Sequence, residues 1–192
     1  MMQKGPVTKF PTQFGMFTLY AYINEQDSKT HLALVKNIPK DGSSVIVRIH
    51  SECMTGDTLF SQRCDCGGQL KKAMERMARQ DNGVLLYLMQ EGRGIGLFNK
   101  LRAYELQDKG VDTVEANEQL GFKADARDYA IAAWILKDLS IKDILLLTNN
   151  PDKVTSLQRF GLSVHRVPLE PVVQEHNKNY LLAKKQKLGH ML

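Results

Sequence analysis

Three cysteines carry the strongest chemical signal in this sequence. Cys53, Cys64 and Cys66 are the only cysteines among 192 residues, and they form a C-x10-C-x-C pattern. A structural zinc site is closed by four protein ligands, whereas a catalytic site has three and leaves the fourth position for water or substrate. The pattern therefore predicts a zinc ion with one open position. Three thiolates donate charge to the metal, so a neighbouring acid or substrate group would have to assist it.

The residues around the cysteines favour metal binding over another common interpretation. Scattered cysteines are often small buried hydrophobic residues. Here the neighbours include Gly56, Asp57, Asp65 and Gly67, which are typical of a polar, tightly turning loop. A histidine such as His50 would add a fourth ligand and make the site structural, and the sequence leaves that alternative open.

Two strand-to-helix turns have the chemistry to bind phosphate. The sequence contains no G-x-x-x-x-G-K-[ST] motif, and Gly92–Gly96 does not fit G-x-G-x-x-G. However, Glu91–Gly96 follows an apolar run and opens a helix, where backbone N–H groups and the fork of Arg93 can approach an anion. Thr148–Lys153 repeats this arrangement with a hydroxyl and a lysine. Taken alone, the first turn is equally typical of a plain tight turn, and the second is more often only a helix cap.

The elements that must position these residues indicate an α/β (α+β) fold. Alternating apolar residues after Phe10, in Phe17–Asn24 and Ser44–His50, predict an antiparallel, β-rich N-terminal portion. A mixed or parallel sheet with flanking helices should follow. The predicted later elements are helix Gln69–Arg79, strand Val84–Met89, helix Leu97–Gln107, a helix capped by Asp125 and reaching Leu139, strand Ile144–Leu147, and a helix opened by Asn150-Pro151.

The absence of repeats and linkers predicts a single domain over residues 1–192. Within it, residues 10–50 are β-rich, residues 51–170 hold the metal loop and the alternating helices and strands, and residues 171–192 form a C-terminal tail.

Composition disfavours several classes of protein. The net charge of +5 is spread along the chain, without the basic block or aromatic stacking motif of a nucleic-acid binder, and a polyanionic substrate explains it as well. Apolar runs are far shorter than the roughly 18 residues of a membrane span. The N-terminus shows no apolar signal region, so we expect a cytoplasmic protein without a membrane or nucleic-acid partner.

Taken together, these motifs resemble GTP cyclohydrolase II, the first enzyme of riboflavin biosynthesis. The similarity extends from Pro11 to Leu192. It is carried by Arg48–Asp57, Arg63–Gly67, Gln90–Leu97, Asp112–Asn117, Leu120–Phe122, Asp125–Tyr129, Leu147–Pro151 and Lys187–His190.

The resemblance implies a reaction and a set of site residues. Enzymes of this kind release formate and pyrophosphate from GTP and leave a diamino-ribosylamino-pyrimidinone phosphate, using magnesium with the triphosphate. By position, the zinc ligands are Cys53, Cys64 and Cys66, and the catalytic residues include Asp125 and Arg127. The GTP contacts are Arg48, Ile49, His50, Ser51, Glu52, Gln69, Glu91, Gly92, Arg93, Thr113, Thr148 and Lys153. The resemblance also implies a homodimer. Many relatives have a dihydroxybutanone phosphate synthase domain ahead of this one, and 192 residues predict the stand-alone form.

Physical chemistry suggests roles for three of these side chains. A guanidinium keeps its protons at ordinary pH, so we expect Arg127, oriented by Asp125, to stabilise charge at the α-phosphate. Tyr104 lies seven residues beyond Leu97 on the predicted helix, on the same face, and is expected to exchange a proton near the ring. The alternative function is a zinc-stabilised GTP-binding protein without catalysis.

Overall fold

The computed structural model describes residues 2–25 and 27–191, so the ends of the predicted domain, Met1 and Leu192, lie outside the described residues. The chain divides into two compact units. The sheet unit consists of the described residues of Met1–His50, Lys71–Met89 and Tyr129–Leu169. The cysteine unit consists of the described residues of Ser51–Leu70, Gln90–Asp128 and Glu170–Leu192.

A seven-stranded mixed sheet forms the sheet unit. Its strands are β1 (Met2–Thr12), β2 (Gly15–Asn24), β3 (Lys29–Lys36), β4 (Val45–Ser51), β5 (Gly83–Leu88), β6 (Asp143–Leu147) and β7 (Ser163–Val167). They lie in the order β1-β2-β3-β5-β4-β6-β7. The pairs β1–β2, β2–β3 and β3–β5 are antiparallel, whereas β4–β6 and β6–β7 are parallel. The predicted α/β class, with an antiparallel N-terminal portion and a mixed sheet, is confirmed.

Strand β1 begins earlier than the alternation of apolar residues predicts. The pattern is β-like from Phe10, whereas the strand starts at Met2. Nearly all of its side chains are exposed, so no buried face marks it in the sequence. It is instead held by antiparallel pairing with β2 across the turn between Thr12 and Gly15. The partner strand, and not burial, specifies an edge strand of this kind.

The core of the sheet unit lies on the apolar central strands. Strands β5 and β6 are nearly continuous apolar runs, and β4 is buried along almost its whole length, as expected for strands that are covered on both faces. The largest fully buried side chains are Phe17, Tyr22, Ile49, Met77, Leu86, Leu88, Ile135, Leu136, Ile144, Leu146, Leu147 and Leu157. This core fixes the strand ends that carry several predicted site residues.

Seven α-helices are present among the described residues. They are α1 (Met54–Asp57), α2 (Cys66–Ala78), α3 (Gly96–Asp108), α4 (Thr113–Gln119), α5 (Ala130–Asp138), α6 (Pro151–Arg159) and α7 (Lys178–Lys187). The predicted cap at Asn150 is confirmed, because its side chain accepts a hydrogen bond from the Asp152 N–H at 2.9 Å. No helix of the described residues is both long and apolar enough to cross a membrane.

The predicted helix cap at Asp125 is wrong. Helix α5 begins five residues later, at Ala130, after Tyr129 in the cap position. The Asp125 carboxylate instead accepts hydrogen bonds from the backbone and side chain of Arg127. A short acidic side chain that closes a local turn in this way competes with helix initiation.

Candidate functional site

The three cysteine sulfurs lie together in the cysteine unit. All three Sγ atoms are within 4.8 Å of one another, and those of Cys53 and Cys64 are 3.7 Å apart. Tetrahedral zinc with Zn–S bonds of about 2.3 Å requires sulfurs about 3.8 Å apart, so the separation fits this metal. Among the described residues, no histidine or carboxylate joins this group. The donor set is therefore the three-ligand set that suits a catalytic site.

Two glycines let the cysteine loops approach each other. A Cβ atom added at Gly56 would lie 2.8 Å from the Cys64 sulfur and 3.2 Å from the Cys53 sulfur. A Cβ atom added at Gly67 would collide with the carbonyl oxygen of Gly56. The loop is also fixed by the Cys53 N–H, which donates to Asp57 Oδ2 at 3.0 Å. A side chain at either glycine would push the sulfurs apart.

The three thiols cannot all ionise unaided. The pKa of Cys53 is lowered because the Cys64 and Cys66 thiols donate hydrogen bonds to its sulfur. The same interactions raise the pKa of Cys64 to about 11 and raise that of Cys66 as well. Metal ligation by cysteine requires thiolates, so an ion bound here would displace the protons of Cys64 and Cys66.

Lys100 of α3 is a site residue that the sequence analysis missed. Its Nζ lies 3.2 Å from Cys53 Sγ, 2.8 Å from Thr55 Oγ1 and 2.8 Å from Glu91 Oε1. Burial opposes its charge, but the neighbouring thiolate and carboxylate outweigh that effect and raise its pKa. The available signal was its position four residues before Tyr104, since such residues share a helix face.

Tyr104 lies beside the same cysteine loop. Its hydroxyl is 3.5 Å from Thr55 Oγ1, and the Arg63 guanidinium lies 4.4 Å from its ring centroid. Burial raises the pKa of Tyr104, so its proton is retained at neutral pH. A protonated phenol therefore lies beside the cysteine loop.

The Glu91–Gly94 turn is tied to the cysteine loop by one carboxylate. Glu91 Oε2 accepts a hydrogen bond from the Met54 N–H at 2.6 Å, and Oε1 accepts one from the Gly92 N–H at 2.7 Å. Gly92 and Arg93 both have left-handed backbone angles, with φ of 62° and 60°. This conformation is unfavourable for a non-glycine residue and tends to be kept at functional sites.

Asp125 and Arg127 form a two-pronged ion pair next to this turn. Arg127 Nε lies 2.9 and 3.1 Å from the two Asp125 carboxylate oxygens, and Nη2 also bonds to Oδ2. Burial alone would raise the pKa of Asp125, but Arg127 outweighs it and holds the pKa below its ordinary value. The Ala126 N–H donates to the Arg93 carbonyl at 3.0 Å, which joins the pair to the turn. The carboxylate therefore fixes the plane of the guanidinium.

A second group of predicted residues lies within the sheet unit, at the carboxyl ends of the parallel strands β4 and β6. Arg48 Nη1 donates to the Leu147 carbonyl at 2.9 Å, and Lys153 Nζ donates to the Ile49 carbonyl at 2.8 Å. Ligands of open α/β sheets bind outside such strand ends. The predicted residues in this group are Arg48, Ile49, His50, Thr148 and Lys153.

The sheet-unit group also contains ring and hydroxyl contacts. The His50 ring stacks on Tyr87 with centroids 5.5 Å apart. Thr148 Oγ1 accepts a hydrogen bond from the Asn150 N–H at 3.0 Å. These contacts orient the side chains at the strand ends.

The remaining predicted contacts belong to the cysteine unit. Ser51 and Glu52 are half-buried just before Cys53, and Thr113 is the first residue of α4. Gln69 Nε2 donates to Asp65 Oδ2 at 2.6 Å, so its amide supports the cysteine loop.

The C-terminal helix α7 supports the same loop from the far end of the sequence. Lys184 Nζ donates to Asp65 Oδ1 at 2.6 Å, and both side chains are buried. Asp65 lies between the ligand positions Cys64 and Cys66. The Lys184 ammonium also lies 4.4 Å from the Tyr180 ring centroid. The tail predicted over residues 171–192 thus contains an element that positions the cysteine loop.

Replacing Lys184 with methionine should destabilise the protein, because it leaves the Asp65 carboxylate buried without its cation. Breaking a buried ion pair in this way costs about 3–5 kcal/mol of unfolding free energy. Equilibrium denaturation would measure the loss. Lys185→Met is the matched control, since its side chain is the next along the helix and is exposed. Equal unfolding free energies for the two variants would contradict the structural role of Lys184.

Comparison with known proteins identifies the family to which this site belongs. The GTP cyclohydrolase II family model matches residues 3–168, and the chain belongs to that family. It is 56% identical over 184 residues to the riboflavin biosynthesis protein RibBA of Bacillus velezensis, which covers 95% of this chain and 46% of the relative. The RibBA protein of Bacillus subtilis is also 56% identical, with the same coverage. The chain thus spans about half the length of the curated relatives it matches.

The chain also aligns with solved structures, among them a two-domain enzyme. The crystal structure of RibBX, a two-domain 3,4-dihydroxy-2-butanone 4-phosphate synthase from A. baumannii, is 21% identical, with a TM-score of 0.49. The alignment covers 85% of this chain and 40% of that one.

Proposed function

We propose that this protein hydrolyses GTP, opening the imidazole ring at C8 and releasing formate and pyrophosphate, as the first step of riboflavin biosynthesis. The observation that carries the proposal is the group of three cysteine sulfurs, because its spacing suits zinc and leaves a coordination position for chemistry. Membership of the GTP cyclohydrolase II family supports the choice of substrate.

Cys53, Cys64 and Cys66 would hold the zinc ion. When bound there, zinc supplies the Lewis-acid chemistry for hydrolysis at a poorly electrophilic carbon. Tyr104, on helix α3, lies beside the cysteine loop and keeps its proton, so we assign it proton transfer near the ring.

Arg127 would stabilise negative charge at the α-phosphate during pyrophosphate release. Asp125 holds its guanidinium in one orientation through the two-pronged contact, so the charge is positioned before the reaction begins. We propose Arg93 as a further phosphate contact, because guanidinium forks bind phosphate oxygens, and we include Gly92 from the family resemblance.

The other proposed GTP contacts are taken from the family resemblance. Those in the cysteine unit are Ser51, Glu52, Gln69, Glu91 and Thr113. Those in the sheet unit are Arg48, Ile49, His50, Thr148 and Lys153. Magnesium bound to the triphosphate, a homodimer and a cytoplasmic location complete the proposal. No nucleic-acid or membrane partner is part of it.

Incubation with GTP and magnesium tests the function directly. We expect formate, pyrophosphate and a new pyrimidine absorbance to appear together. Protein stripped of metal with a chelator serves as the control, and added zinc should restore formate release. Tight binding of GTP that stays intact would contradict the proposal and favour a nucleotide-binding protein without catalysis.

A further inference from the structure

Three cysteine ligands would leave an uncompensated negative charge at the proposed zinc site. Three thiolates around a divalent zinc ion leave a net charge of −1, and each sulfur donates electron density to the metal. Both effects weaken the metal as a Lewis acid, relative to sites with neutral histidine ligands. Some cation near the sulfurs must offset this charge if the metal is to act on water.

Lys100 is placed to offset this negative charge. Its ammonium has three N–H donors, and the structure offers three acceptors within reach, on Cys53, Thr55 and Glu91. The lysine side chain is only 11% exposed, so water screens its charge weakly. A surface lysine would have neither fixed partners nor this influence.

Glu91 does not cancel the effect of Lys100 on the sulfur. The Glu91 carboxylate is already shared with the N–H groups of Met54 and Gly92, at 2.6 and 2.7 Å. It therefore anchors the ammonium while its own charge is spread over several donors. Of the three acceptors, the sulfur is the one that would also bind the metal.

We propose that Lys100 is a positioning residue of the metal centre, which holds the Cys53 sulfur in its ligand orientation and withdraws charge from it. The inference rests on the proposed zinc site. By offsetting one thiolate, the ammonium keeps the bound metal more acidic than three cysteines alone would allow. This assigns to the chain itself the assistance that a three-cysteine zinc site requires.

Cobalt-substituted protein tests the inference without GTP. Cobalt(II) gives absorption bands for charge transfer from thiolate sulfur, and a hydrogen-bonded sulfur gives up its electrons less readily. Lys100→Gln removes the positive charge, so its band should move to longer wavelength than in the wild type. Lys100→Arg keeps the charge and should shift the band less. Lys123→Gln is the control, because this exposed lysine belongs to the same unit.

The outcomes separate this inference from the proposed function. An unshifted band in Lys100→Gln at the wild-type cobalt stoichiometry would overturn the role of Lys100, whether or not GTP is hydrolysed. If Lys100→Gln fails to fold, Lys100→Arg provides the test. Arginine changes the geometry of the donors to the Cys53 sulfur, so the band of Lys100→Arg must still shift more than that of Lys123→Gln. Formate release by Lys100→Gln should also fall by roughly 10–100-fold, as for other residues that orient metal ligands.

Discussion

Replacing Cys64 with serine is expected to remove zinc from the protein and to stop formate release. The substitution leaves two sulfurs, and a serine hydroxyl stays protonated at neutral pH, so it is a poor zinc ligand. The loss of activity should exceed the roughly 10–100-fold that follows removal of a residue that only orients a ligand. Metal analysis after dialysis and a formate assay measure the two effects on the same sample.

The matched control for this variant is Gln62→Ser, an exposed substitution two residues earlier in the same loop. It should keep the wild-type zinc content and turnover. Thermal unfolding of both variants separates loss of the ion from loss of the fold. Equal zinc and equal formate release in Cys64→Ser and the wild type would remove the basis of the site assignment.

The parts of this site that the sequence predicts are those in which a residue type is unusual for its setting. Three cysteines in a loop of glycines and aspartates have little reason to occur together except a metal. The close packing at Gly56 and Gly67 explains why the loop tolerates no side chain there. The same reasoning identifies the turn at Arg93, because Gly92 and Gly94 flank this residue just after a buried strand ends.

Residues whose role depends on a distant partner were not predictable in this way. A lysine within a helix is normally a solvated cation, so Lys100 carries no signal until its three acceptors are known. The Lys184–Asp65 pair joins residues 119 positions apart. Only the fold brings such groups together, because no local pattern records a long-range contact.

Two local predictions also failed or fell short for physical reasons. Asp125 has the residue type of a helix cap, but a nearby guanidinium competes for its carboxylate. Strand β1 has no buried face, so its pairing with β2 left no trace in the apolar pattern. The sequence therefore predicted the central strands β4, β5 and β6 and the helices α2, α3 and α6, and it missed most of the edge strand β1 and all of β7.

Arg127→Met is expected to slow pyrophosphate release by about 100- to 1000-fold, the usual effect of removing a charge-stabilising donor from a reaction site. Arg127→Lys keeps the positive charge but loses the planar fork that Asp125 grips, so its activity should lie between those of the wild type and Arg127→Met. Zinc content should be unchanged in both variants. A coupled assay for pyrophosphate, run beside metal analysis, makes the measurement.

A double variant then separates the role of Asp125 from that of Arg127. If the carboxylate acts by orienting the guanidinium, Asp125→Asn combined with Arg127→Met should be no slower than Arg127→Met alone, because residues that act as one unit are not additive. If the rate losses of the two single variants instead multiply in the double variant, Asp125 acts on the substrate independently of Arg127. Arg159→Met, an exposed arginine in the sheet unit, controls for loss of one positive charge. Pyrophosphate release in Arg127→Met at the rate of this control would refute the charge-stabilising role, since the positioned cation would then contribute nothing to the reaction.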